Sequence, residues 1–271
     1  MKIKKTFKIV LLTIAAILMI RPALIPYEKI QCHRMIDAIE NNDIKKLEWV
    51  LKFSNPNSVP GVALLDVISE NGDRRTPLGA ACEEGNFEMV RLLIENGADV
   101  NYIPWNANAS PLRLAVQSKS SDNLEIVKFL VENGAIIDCS NSKTRHPAFW
   151  MLNTSELPPN GIEILDVLRQ AGEDIEYKVI LQEACYRKHE EVIRYLVEKW
   201  GYDASDPYYL CAYCYGFDGY TYESFEYFLE RGANPYEKNE NGKCAIEYLQ
   251  EESPEWAEKL IDLAARYGIT E

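Results

Sequence analysis

The side chains that could carry chemistry are few and far apart. The three histidines, His33, His146 and His189, stand in separate parts of the chain. His189-Glu190-Glu191-Val192-Ile193 begins like the helical zinc-protease pattern, but Ile193 occupies the place one turn on where the second ligating histidine must stand. Cys211 and Cys214 have the spacing of a redox or zinc half-site. No second pair accompanies them, and a structural zinc ion takes four ligands. Gly216-Phe217-Asp218-Gly219 lies in a tyrosine-rich stretch, without the preceding strand or the third glycine that a dinucleotide site requires. There is no Gly-Lys-Ser/Thr loop to cradle a phosphate. The carboxylates are spread along helical stretches, where Glu followed by Lys or Arg makes a solvated face. These observations predict a non-enzyme, with no catalytic residue, no metal and no cofactor.

What the sequence does organise is a repeat. Arg75-Thr76-Pro77-Leu78-Gly79-Ala80-Ala81 leads through Val90-Arg91-Leu92-Leu93 to Asn96-Gly97-Ala98-Asp99-Val100-Asn101. Ser110-Pro111-Leu112-Arg113-Leu114-Ala115 then leads through Ile126-Val127-Lys128-Phe129-Leu130 to Glu132-Asn133-Gly134-Ala135, at a period in the low-to-mid thirties. Thr76 and Ser110 are placed to cap a helix, with Pro77 and Pro111 at the first helical position, where a missing N–H costs nothing. Glu83-Glu84-Gly85-Asn86 separates a first short helix from a second, and Gly97 supplies the left-handed residue that ends the second. Neither helix can bury its apolar face alone, so neighbouring units must stack.

This pattern resembles the ankyrin repeat. The resemblance is carried by 75–101 and 110–138, and about six to seven degenerate units fill 28–271 by spacing. Weaker units start at Met35, His146, Ile180 and Tyr209, and a finger-like turn, Asn234-Pro235 to Asn241-Gly242, precedes the last helix pair. The resemblance implies an all-α helical solenoid with short turn and finger loops, binding protein partners along the side formed by turn tips and first helices. Cys82, Cys185 and Cys214 fall at equivalent sites late in first helices, where a small apolar residue packs between units. The seven cysteines therefore read as structural; one disulfide stays open if the compartment is oxidising.

Residues 1–27 read as a signal segment. Lys2, Lys4, Lys5 and Lys8 precede an apolar run from Ile9 to Ile20, interrupted by Arg21-Pro22. An uncleaved anchor is preferred to a cleaved peptide, because no small-x-small pair follows the run cleanly. The lysines would stay in the cytoplasm and send the repeats to the periplasmic side of the inner membrane, or free into the periplasm after cleavage. On that topology Asn108-Ala109-Ser110 and Asn153-Thr154-Ser155 match glycosylation acceptors in a glycosylating host.

The chain carries 29 Lys and Arg against 42 Asp and Glu, a net charge of −13. Five of the basic groups lie in the first 27 residues, so the remainder is near −18. That balance opposes binding to nucleic acid or anionic lipid and favours a basic protein partner, with membrane contact through the N-terminal segment only. The chain itself reads as a monomer. Two stretches depart from the plain repeat: Tyr102-Ile103-Pro104-Trp105-Asn106, and the tyrosine-rich span from Tyr202 to Tyr227. Tyr209, Phe225 and Phe228 read as core. For Tyr102, Trp105, Tyr215, Phe217 and Tyr220 two readings stand, rings filling an irregular core or rings presented to a partner, with Asn106 beside Trp105. The expected function is an immunity or inhibitor protein that occludes a secreted toxin or effector. An envelope scaffold for a resident enzyme, or an exported effector binding host proteins, are the alternatives.

Overall fold

The computed structural model describes residues 27, 30–57, 75–103, 109–137, 146–154, 156–172, 177–216 and 219–271. Every regular element among them is a helix. In chain order these are α1 (30–40), α2 (Ile44–Leu51), α3 (Pro77–Glu84), α4 (Phe87–Glu95), α5 (Pro111–Gln117), α6 (Asn123–Glu132) and α7 (Pro147–Leu152). Then come α8 (Gly161–Ala171), α9 (Tyr177–Arg187), α10 (Glu190–Trp200), α11 (Pro207–Tyr215), α12 (Tyr222–Glu230), α13 (Ala245–Glu252) and α14 (Pro254–Arg266). Two compact units divide at Ile136 and Ile137. The lysines and apolar run expected to form an anchor lie outside the described residues. No helix among the described residues is long and apolar enough to cross a membrane.

The caps form where the sequence places them. The Thr76 hydroxyl accepts from the Gly79 amide at 2.9 Å, and the Ser110 hydroxyl from the Arg113 amide at 3.2 Å. His146 Nδ1 accepts from the Ala148 amide at 3.1 Å, and Asp206 from the Tyr208 amide at 2.9 Å, each ahead of a proline at the first helical position. Each of these contacts satisfies one of the backbone donors that a helix start leaves orphaned. At the other end, Asn-Gly-Ala at 96–98 and 133–135 and Arg-Gly-Ala at 231–233 stop α4, α6 and α12 in the same way. The alanine amide returns to the carbonyl of Leu93, Leu130 or Phe228, while the glycine sits at positive φ. That geometry is the glycine-based helix stop.

In the first unit α3 packs on α5 and α4 on α6, with α2 against α4. In the second, α7, α9, α11 and α13 pack successively, and α12 packs on α14. Within each unit, first helices thus pack on first helices and second helices on second helices, with the core between them. Leu78, Ala81, Leu93, Leu112, Ala115 and Leu130 are buried in the first unit; Leu181, Cys185, Leu196, Leu210, Cys214 and Phe228 are buried in the second. A side-chain bridge joins successive turns of the first unit. Asn57 donates to the Gly97 carbonyl at 3.0 Å and accepts from the Asp99 amide at 2.7 Å. Asn101 repeats this one unit on, with the Gly134 carbonyl and the Ile136 amide, both at 2.8 Å.

Candidate functional site

A row of tyrosines lies on the first helices of the second unit. Tyr186 is the last residue but one of α9, Tyr215 ends α11 and Tyr248 sits in α13. Their rings form a row, with centroids 5.9 Å apart between Tyr186 and Tyr215 and 5.4 Å apart between Tyr215 and Tyr248. Tyr215, in the middle, is 55% exposed. A cation stands over each end ring: Arg187 is 5.6 Å from the Tyr186 centroid and Lys243 is 5.3 Å from that of Tyr248. Both cations are anchored from below. Arg187 Nε pairs with Glu183 at 2.9 Å and its terminal nitrogen with Asn153 at 2.6 Å, while Lys243 pairs with Glu251 at 2.6 Å. The Lys243 ammonium is held above its usual pKa, first by the hydrogen bond to Glu251.

The row exists because α9 and α11 approach closely. A Cβ placed on Gly216 would stand 2.0 Å from the carbonyl oxygen of Tyr186. Only glycine permits that approach, and it sets the ring of Tyr215 beside that of Tyr186.

Of the residues expected from sequence that are described, Tyr215 is the one placed openly. Tyr102 is half-buried in the first unit, next to an exposed Ile103. Trp105, Asn106 and Phe217 lie outside the described residues, as does Asn108 of the first glycosylation acceptor. Tyr220 corrects the expectation that it faces a partner. It is buried, its hydroxyl donates to the Cys214 carbonyl at 2.9 Å, and its ring stacks on Phe225 with centroids 6.1 Å apart. The Lys188 ammonium fixes it further, lying 4.4 Å from the Tyr213 centroid and 4.6 Å from that of Tyr220. Tyr209, Phe225 and Phe228 fill the core as expected.

The polar atoms of this aromatic core serve one another. Glu190 accepts from the hydroxyls of Thr221 at 2.9 Å and Tyr213 at 3.3 Å, and also from Ser224. Sequence reasoning missed Tyr186 and Tyr248. Tyr186 was within reach, since it follows Cys185 as Tyr215 follows the equivalent Cys214. Tyr248 was not, because it occupies a different register of its helix.

Among the described residues, no group of three or more His, Cys, Asp or Glu side chains could hold a metal ion. The Cys211-x-x-Cys214 pair is buried, and desolvation pushes the Cys211 thiol up to about 12 and the Cys214 thiol well above its usual value. Thiolate chemistry at neutral pH needs the opposite shift.

The family model described as Ankyrin repeats (3 copies) matches residues 35–141. Residues 35–141 are thus ankyrin repeats. Over 122 residues, 45% of this chain, it is 39% identical to the putative ankyrin repeat protein FPV244 of fowlpox virus, strain NVSL. That match spans only 14% of the viral protein. The human ASB11 ankyrin repeat domain superposes with a TM-score of 0.64, covering 84% of this chain and 96% of that domain at 22% identity. That likeness establishes the fold. Ankyrin repeats imply a protein-binding module, and in the second unit Tyr215 presents an exposed ring at the end of a first helix.

Proposed function

We propose that this chain is a non-catalytic protein-binding module whose contact surface centres on Tyr186, Tyr215 and Tyr248, and whose partner is basic. The exposed ring of Tyr215 carries the proposal. A tyrosine held in place by neighbouring rings offers large contact area at low rotamer cost, and its hydroxyl gives a polar end. The acidic excess beyond residue 27 supports a basic partner through electrostatic steering.

At finer resolution, the reading is an immunity or inhibitor protein, held at the cell envelope by its N-terminal segment, that occludes a secreted toxin or effector. Its support is the combination of an apolar lysine-led N-terminus, strong acidity and no recognised catalytic constellation. The test is capture of native envelope and secreted proteins on the full chain at low and at high salt. One dominant basic partner, weakened by salt and inactive in the complex, is the expected result. Several weak resident partners would replace inhibition with scaffolding.

A further inference from the structure

A second exposed apolar face lies at the opposite end of the sequence. Helix α2 buries Leu47, Val50 and Leu51 but leaves Trp49 54% exposed, and Phe53, just beyond its end, is 59% exposed. Their rings meet edge to face at 5.7 Å. The Tyr27 hydroxyl donates to the Phe53 carbonyl at 3.1 Å, which brings the start of the described chain against this pair. Ile30, three residues after Tyr27, is also exposed. Three exposed aromatic side chains in mutual contact, Tyr27, Trp49 and Phe53, are more than the scattered exposure a soluble surface normally shows.

The covalent chain decides what this face can meet. The apolar run ends at Ile20, and the six residues from Arg21 to Pro26 extend to about 20 Å at most. Trp49 and Phe53 therefore stay close to wherever that run resides. The local charge agrees: residues 27–57 hold five basic and five acidic side chains, so the acidic excess lies entirely beyond them. Lys45 and Lys52 are exposed on this end. Tyrosine and tryptophan beside lysine are the side chains that settle at the headgroup level of a bilayer.

We propose that Tyr27, Ile30, Trp49 and Phe53 form a face that rests on the lipid bilayer surface, orienting the repeats against the membrane. This rests on the anchor reading above and assigns it a second, peripheral contact. The experiment reconstitutes the full chain into phosphatidylcholine and phosphatidylglycerol vesicles with brominated acyl chains, and follows flotation and tryptophan quenching together. The expected result is a floating protein whose quenching is largely lost in Trp49→Phe and kept in Trp150→Phe. Acrylamide should reach Trp49 before vesicles are added and be excluded afterwards. Flotation with unchanged quenching in Trp49→Phe overturns the face and leaves the anchor standing. Absence of flotation overturns both. A Trp49 already shielded in vesicle-free solution means that a second copy or the chain's own leading segment covers it, and also overturns the proposal. Phe53→Leu, a milder change at the same face, should weaken quenching with flotation intact.

Discussion

Tyr215 owes its position to its neighbour in sequence. Gly216 lets α11 pass so close to the Tyr186 carbonyl that a methyl group there would stand at 2.0 Å. Gly216→Ala must push the two helices apart, at a cost of about 1–3 kcal/mol as for other overpacked sites. A lower urea midpoint, with altered near-UV tyrosine signals, is the expected observation. His189 supplies a second residue-scale prediction. Its ring is buried, and Nε2 donates to the Leu152 carbonyl at 2.9 Å. Burial holds its pKa below the ordinary 6.5, against the opposing pull of its backbone partners. The unfolded chain then binds the proton first, so stability is complete above about pH 6.5 and declines as the pH falls below it. Urea midpoints measured from about pH 7 down to about pH 5 should fall, and His189→Gln should flatten that slope.

At the scale of elements, capping was legible because it is local. Thr76-Pro77, Ser110-Pro111 and the Asn-Gly-Ala stops need only their own turn, and each makes the hydrogen bond its sequence suggests. The Asn101 bridge was not legible in that way. Its two partners lie about a repeat away, so the bond depends on stacking register rather than on local pattern. Asn101→Ala removes both bonds and should cost about 1–3 kcal/mol where the groups are left without water. Hydrogen exchange at the Ile136 amide should speed up more than at the Ala98 amide, which is held within its own turn. The two readings of the tyrosine-rich span were inseparable in sequence for a related reason. Ring density between Tyr202 and Tyr227 fitted an irregular core and a partner surface alike, and it is Tyr220 that turns back onto Cys214 and the core. Its neighbour Tyr215, five residues earlier, points out.

For the whole molecule, the sequence carried the helical repeat architecture and the acidic balance, and it carried one ring of the candidate surface. The row itself required three successive first helices to be stacked before Tyr186 and Tyr248 could be seen beside Tyr215. Net charge acts over longer distances than any of these contacts. Association with a basic partner should slow as salt is raised from about 0.05 M to about 0.5 M, while dissociation changes little, because screening acts on the encounter. Stopped-flow association at the two salts separates these rates. The most direct test of the central claim is the affinity of the captured partner for the intact chain and for Tyr215→Ala, measured by calorimetry on proteins of matched thermal stability. The account predicts a loss of about 2 kcal/mol or more, near thirtyfold, as for an aromatic anchor at the centre of an interface. Equal affinity for both chains would contradict it and place the contact surface elsewhere.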